Sequence, residues 1–102
     1  MNQDALQAVA DPEVVRLADS SLLIVDDDSP LRMRLARAME ARGFTVRTAE
    51  SIADGVQSIR SAAPAFGVFD LKLGDGSGLE LVEALHRARP DARVVMLTGY
   101  GN

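Results

Sequence analysis

A chain of 102 residues is long enough for one hydrophobic core and short for two domains of common size. Apolar residues make up 47% and charged residues 25%, a balance that indicates a globular protein and excludes a disordered or fibrous one. The formal charge of −4 argues against a nucleic-acid-binding surface, and the lack of cysteine excludes disulfides and thiolate metal sites. Because the longest apolar runs are about five residues and no signal pattern opens the chain, a cytoplasmic location is expected.

The first 19 residues differ from the rest and are predicted to be an N-terminal extension, followed by one domain over residues 20–102. Asp11-Pro12-Glu13 is typical of a helix cap followed by a first-turn proline, so at most a short helix is expected over Glu13–Ala18. Chain termini are usually loose unless they dock onto the domain, and no function is assigned to this segment.

From Leu22 onward, strand and helix patterns alternate. The run LLIVD is a continuous apolar stretch, which predicts a strand buried on both faces. Ser29-Pro30 offers a cap and a first-turn proline, and apolar residues then recur four apart until Gly43 ends the helix. The β-branched segment Thr45–Ala49 predicts a second strand. Ser51 and Asp54 form a capping box for a second helix, which Pro64 closes.

The second half of the chain repeats the alternation. Phe66–Asp70 predicts a third strand, and the glycine-rich loop Leu71–Gly78 leads into a third helix. Arg93–Leu97 predicts a fourth strand, which runs into Thr98. Alternating strands and helices with short connections indicate an α/β fold, in which helices cover both faces of a parallel sheet.

The first, third and fourth predicted strands lead into polar residues of interest. The first strand ends in Asp26, Asp27 and Asp28, the third ends in Asp70, and the fourth is followed by Thr98. In an open parallel sheet, ligands bind outside the carboxyl ends of the strands, so these residues are expected to meet there. Alone, Asp70 could form an Asx-turn, and Asp28 is best explained as a helix N-terminal carboxylate. The joint placement is what indicates a site.

Converging carboxylates raise one another's pKa unless a cation lies among them. Oxygen ligands without His or Cys favour a hard divalent ion, and two or three carboxylates with waters suit Mg²⁺. Asp27 and Asp70 are expected to bind the ion directly and Asp26 through a water. Such an ion would let a phosphoryl group approach a carboxylate nucleophile, with Thr98 donating a hydrogen bond to a phosphoryl oxygen.

Two further features are interpreted as structural. Gly74–Gly78 (GDGSG) does not match the dinucleotide-binding fingerprint and is interpreted as a turn with a helix entry. A calcium loop counted from Asp70 would need a bidentate Glu at its twelfth position, where Leu81 stands. His86 is expected to be a solvated surface histidine.

The segments LLIVDDDSPLR, VFDLKLGDGSGLEL and VVMLTGYG resemble the receiver domains of bacterial two-component response regulators over residues 21–102. The last two are similar to the redox-responsive global regulators of photosynthesis and respiration in proteobacteria. The resemblance implies a flavodoxin-like (CheY-like) sheet of strand order 2-1-3-4, with the family's fifth strand and last helix missing after residue 102.

The resemblance also implies roles for individual residues. Asp70 would accept a phosphoryl group from a sensor histidine kinase, and Asp26 and Asp27 would hold Mg²⁺ together with Asp70 and the backbone carbonyl of Lys72. Thr98 would hydrogen-bond the phosphoryl group and act as a switch. The domain would be a signalling module, not an enzyme, and would control a transcriptional output domain that is not in this chain.

One departure from the family concerns the end of the chain. The family has an essential lysine after its fifth strand and an aromatic switch residue within that strand. The chain stops before both, so weak or absent phosphorylation is expected. Lys72, the only lysine, does not simply replace the missing one. Uncovered apolar surface and an open edge strand predict a homodimer, formed by element exchange or with the N-terminal segment docked over the gap.

Two other functions are weighed against a phosphorylated signalling domain. An inert receiver fold that serves only as an interaction fragment is consistent with the missing lysine. A small Mg²⁺-dependent phosphatase with an aspartate nucleophile usually has a second Asp two residues later, where this chain has Lys72. The phosphatase is therefore the weakest of the three.

Overall fold

The structure, a computed structural model, describes residues 19–98. The short helix expected over Glu13–Ala18 lies outside these residues. The helices and strands are β1 Ser21–Val25, α1 Ser29–Ala41, β2 Thr45–Ala49, α2 Ile52–Ser61, β3 Phe66–Asp70, β4 Lys72–Leu73, β5 Gly76–Ser77, α3 Leu79–Ala88 and β6 Arg93–Leu97. Within these residues, no helix has the length and apolarity that crossing a membrane requires.

The four long strands form one parallel sheet in the order β2-β1-β3-β6. Since β6 is the fourth long strand along the chain, the predicted α/β class and the order 2-1-3-4 are confirmed. The short strands β4 and β5 pair with each other in an antiparallel hairpin, which the sequence analysis did not predict.

The interior strand β1 separates two hydrophobic clusters. Leu23 and Val25 pack with residues of α2 and α3 on one side of the sheet. Leu22 and Ile24 pack on the other side, with half-buried residues of α1 against them. All four side chains are at most 2% exposed, so β1 is buried on both faces, as its continuous apolar run predicts.

The helix starts agree with the sequence analysis in one case and differ by a residue in the other. The Ser51 hydroxyl accepts a hydrogen bond from the Asp54 N–H at 3.1 Å and caps α2 as expected. In α1 the cap is Asp28 and not Ser29, because the Asp28 carboxylate accepts from the Leu31 N–H at 3.1 Å. Pro30 is tolerated beside it because N–H groups of the first turn have no partner within the helix.

At the amino ends of the strands, the side chain of Arg89, which follows α3, links several elements. Its guanidinium donates to the Asp19 carboxylate at 2.8 Å and to the Ala63 carbonyl at 3.1 Å. Asp19 also accepts from the Ser21 N–H, so the start of β1 is tied to the ends of α2 and α3. The exposed His86 lies nearby, with Nε2 3.1 Å from the Ala92 carbonyl oxygen.

The Asp19–Arg89 pair predicts a pH dependence of stability. The hydrogen bond from Arg89 lowers the pKa of Asp19 from 3.8 to about 2. The stabilisation is therefore complete above about pH 4 and is lost as the pH falls through about 2. Since half of the Asp19 side chain is exposed, we expect Asp19→Asn to lower the free energy of unfolding at neutral pH by at most about 1 kcal/mol.

Chemical denaturation across this pH range measures the effect. Asp91→Asn is the matched control, because Asp91 lies 3.7 Å from the same guanidinium and its side chain is 85% exposed. A difference between Asp19→Asn and the parent protein that does not shrink towards pH 2 would contradict the assignment.

Candidate functional site

Three carboxylates meet at the carboxyl edge of the sheet. Val25 at the end of β1 is paired with Ala49 of β2 and Phe69 of β3, so Asp26 and Asp70 leave neighbouring strands at the same level. One carboxylate oxygen from each of Asp26, Asp27 and Asp70 lies within 4.8 Å of the others. The expected meeting of these side chains is present.

Asp26 is the buried member of this acidic cluster. Asp26 is 2% exposed, and one of its carboxylate oxygens accepts a hydrogen bond from the Asp28 N–H at 2.8 Å. Burial raises the pKa of Asp26, and the charges of Asp70, Asp27 and Asp28 act in the same direction, while the Asp28 N–H opposes them. Ionised Asp26 is therefore held in an unfavourable environment, as carboxylates at functional sites commonly are.

Asp70 is fixed by its own backbone and by the hairpin that follows it. Asp70 pairs with Leu97 of β6, and its Oδ1 accepts a hydrogen bond from the Lys72 N–H at 3.2 Å. A Cβ at Gly78 would overlap the Asp70 carbonyl oxygen, so the start of α3 approaches Asp70 more closely than any side chain allows. The Gly78 N–H donates to the Leu71 carbonyl at 2.8 Å and holds this approach.

The remaining predicted site residues lie around the cluster without joining it. Thr98 is exposed and directly follows Leu97, the register partner of Asp70. The Lys72 side chain is exposed in β4, and its main chain contacts Asp70 as described above. Asp28 caps α1, which agrees with its interpretation as a helix N-terminal carboxylate.

Arg32 was missed by the sequence analysis. It lies in the first turn of α1, and its guanidinium donates to the Asp26 carbonyl oxygen at 2.7 Å. It therefore secures the Asp26 main chain. The sequence offers no signal for this contact, because a separation of six residues is not one of the i, i+3 or i, i+4 spacings that bring helical side chains together.

The donor set fits a hard divalent cation. All three groups are carboxylates, and one of them is buried with a raised pKa, so a cation among them would offset both desolvation and mutual repulsion. Oxygen ligands of this kind suit Mg²⁺ and Ca²⁺ better than zinc or copper.

Comparison with known proteins gives consistent matches. The family model for the response regulator receiver domain matches residues 22–102. The acid tolerance regulatory protein ActR of Sinorhizobium medicae is 57% identical over 84 residues, covering 82% of this chain and 43% of that protein. The photosynthetic apparatus regulatory protein RegA of Rhodobacter capsulatus is 53% identical over 94 residues, covering 91% and 51%. This chain thus spans about half the length of these curated relatives.

A solved structure agrees with the sequence matches. A response regulator protein from Burkholderia pseudomallei, solved with a phosphorylated aspartic acid, a calcium ion and citrate, has a TM-score of 0.75 and 37% sequence identity. The match covers 82% of this chain and 49% of that one.

Charge repulsion in the acidic cluster predicts that one substitution stabilises the metal-free protein. Because the pKa of Asp26 is raised, its ionised form reduces stability, and the reduction grows as the pH rises from about 4 through that pKa. Asp27→Asn removes one repelling charge. Because burial and the Asp70 charge contribute more to the raised pKa than Asp27 does, we expect Asp27→Asn to raise the melting temperature in EDTA at neutral pH by less than about 4–8 °C, the shift that about 1 kcal/mol produces in a domain of this size.

Differential scanning calorimetry at neutral and acidic pH measures this gain. At acidic pH, where Asp26 is protonated, the gain is expected to disappear. Glu83→Gln is the control, since Glu83 is exposed on α3 and pairs with Arg87. A melting temperature of Asp27→Asn at or below that of the parent protein at neutral pH would rule out significant repulsion.

Proposed function

The chain belongs to the response regulator receiver domain family, and we propose that it accepts a phosphoryl group on Asp70 from a sensor histidine kinase. The observation that carries the proposal is the meeting of Asp26, Asp27 and Asp70 within 4.8 Å, with Asp70 at the end of β3. The phosphorylated aspartate and the calcium ion in the Burkholderia pseudomallei protein support the same chemistry.

Mg²⁺ is the proposed ion of this site. Asp27 and Asp70 would bind it directly, Asp26 through a water, and the Lys72 backbone carbonyl would complete the protein ligands. When bound, the ion supplies positive charge that neutralises the carboxylates and the oxygens of an incoming phosphoryl group. The chain's own contribution is to hold three oxygen donors together despite their repulsion.

Asp70 is the proposed nucleophile. Its Oδ1 accepts a hydrogen bond from the Lys72 N–H, and Oδ2 is the proposed attacking oxygen. The new Oδ2–P bond forms as the bond between phosphorus and the kinase histidine breaks, and the leaving imidazole keeps the electron pair. The product is an acyl phosphate on Asp70 and a free histidine on the kinase.

Thr98 is the proposed sensor of the added charge. It follows the register partner of Asp70 on the neighbouring strand. In the proposal, its hydroxyl would donate a hydrogen bond to a phosphoryl oxygen. A new hydrogen bond at the end of β6 is a local event that can bias a two-state element.

Control of a transcriptional output domain is a further part of the proposal. ActR and RegA are regulatory proteins of acid tolerance and of the photosynthetic apparatus, and this chain matches about half of each. Of the alternatives, the phosphatase is disfavoured by Lys72, which stands where a general-acid carboxylate is needed. An inert interaction fragment would not become phosphorylated. The experiment below therefore distinguishes it from a phosphorylated signalling domain.

The proposal predicts one covalent phosphoryl adduct. After incubation with Mg²⁺ and a small phosphodonor such as acetyl phosphate, intact-mass spectrometry is expected to show a single adduct that Asp70→Asn abolishes. Asp28→Asn is the matched control, because Asn also caps helices and Asp28 lies outside the three-carboxylate group. It should retain the adduct.

Two results would count against the proposal. An adduct that persists in Asp70→Asn would place the acceptor elsewhere. The lack of any adduct, with Mg²⁺ binding intact and a partner kinase also supplied, would favour the inert fragment.

Self-association is the remaining proposal on partners. In the part of the sheet that the structure describes, β6 is an edge strand, and Val94, Val95, Met96 and Leu97 are only partly buried. An apolar edge of this kind favours pairing between copies. We expect light scattering of this chain to give a mass that rises to that of a dimer with concentration, and a monodisperse monomer at high concentration would contradict it.

A further inference from the structure

The hairpin between Asp70 and α3 is fastened to a helix distant in the sequence. One carboxylate oxygen of Asp75, in the turn between β4 and β5, accepts from the Ile52 N–H at 2.9 Å. The other accepts from the Ala53 N–H at 3.1 Å. These partners are 23 and 22 residues away along the chain, and they are the first two residues of α2. Asp75 thus bridges the hairpin and the N-terminus of α2.

This bridge is additional to the ordinary cap of α2. Ser51 already caps the helix through the Asp54 N–H, and the Gly55 N–H donates to the Ser51 carbonyl. Asp75 takes two other N–H groups that have no partner within the helix. These two donors, the Ile52 N–H first, hold the pKa of Asp75 below its ordinary value, so the carboxylate is charged at neutral pH.

The tip of the hairpin is also packed tightly. Gly76 has φ 149°, a conformation that side-chain-bearing residues rarely adopt, and a Cβ there would lie 2.9 Å from the Ile52 side chain. The Ser77 N–H donates to the Glu80 carboxylate at 3.2 Å, which ties the hairpin to α3 as well. Leu73 is buried in the same hydrophobic cluster as Ile52.

The hairpin leads directly to the acidic cluster. Lys72 is paired with Ser77 across the hairpin, and its N–H donates to Asp70 Oδ1 at 3.2 Å. Leu71 and Gly78 close the base of the hairpin through a 2.8 Å hydrogen bond. Because β4 and β5 are paired and only two residues long, a displacement of the hairpin tip also moves the Lys72 main chain.

We propose that Asp75 is a positioning residue of the acidic cluster. By anchoring the hairpin to α2, it holds the Lys72 main chain in place against Asp70 and keeps the Lys72 carbonyl available to a divalent cation. The inference rests on the proposed function in one respect, since the Lys72 carbonyl is a ligand only if the cluster binds Mg²⁺. The anchoring of the hairpin itself is independent of the metal.

The proposal predicts that replacing Asp75 weakens metal binding, although Asp75 does not itself contact the metal. Replacing a residue that orients ligands commonly weakens metal binding 10–100-fold, and we expect about tenfold for Asp75→Ala. Asp75→Asn keeps one acceptor oxygen and should fall between the parent protein and Asp75→Ala. Ser51→Ala removes a cap of the same helix without touching the hairpin, so its Mg²⁺ affinity should equal that of the parent protein.

The experiment combines two measurements on these variants. Titration with MgCl₂, followed by NMR shifts of the Lys72 and Leu73 amides, gives the dissociation constant. Amide hydrogen exchange at Ser77 and Gly78 in the metal-free protein reports hairpin anchoring and does not depend on Mg²⁺. Faster exchange and weaker binding in Asp75→Ala, with both unchanged in Ser51→Ala, would support the proposal.

The outcomes separate the two levels of inference. If the parent protein binds no Mg²⁺, the proposed function fails, while the exchange measurement still tests the anchoring. If exchange in Asp75→Ala matches the parent protein, the positioning role is wrong. The role is also wrong if exchange accelerates but the affinity for Mg²⁺ does not change, or if Ser51→Ala weakens binding to the same extent.

Discussion

The burial of β1 on both faces is the constraint on which the rest of the structure depends. Its four apolar residues from Leu22 to Val25 belong alternately to the two hydrophobic clusters, and the strand is paired on both edges. The chain then continues directly into Asp26, which stays 2% exposed. A carboxylate is thus forced into the interior by the strand that precedes it, beside Asp70 from the neighbouring strand. The burial of the apolar core offsets the free-energy cost of burying this carboxylate.

The two sides of Asp70 are built differently. On one side, Gly78 and the hairpin contact its backbone so closely that no side chain fits. On the other side, Thr98 is exposed at the end of β6. In the proposed function, the groups that hold an ion would benefit from rigid supports, whereas Thr98, the proposed sensor of the phosphoryl group, would need room to change its rotamer. The distribution of packing around Asp70 is consistent with this division.

The sequence predicted the features that depend on local patterns. The apolar patterns identified each long strand and helix, the Ser51 cap located the start of α2, and the strand-end rule placed Asp26, Asp27 and Asp70 at one edge. It missed the hairpin because strands of two residues are too short to show a period. It also missed the Asp75 and Arg89 contacts, whose partners are 23 and 70 residues away. No spacing rule encodes contacts that the folded topology alone brings together.

Arg32 lies beside the acidic cluster without forming an ion pair with its carboxylates. Its guanidinium lies next to Asp26 but donates to the backbone carbonyl and not to the carboxylate. Within residues 19–98, the ion pairs join Arg87 to Glu83 and Arg89 to Asp19 and Asp91, all away from the cluster. An arginine paired with the buried carboxylate would lower its pKa and stabilise the metal-free fold. It would also occupy the position of the proposed cation, so the lack of such a pair is consistent with the proposed ion site and costs the metal-free fold some stability.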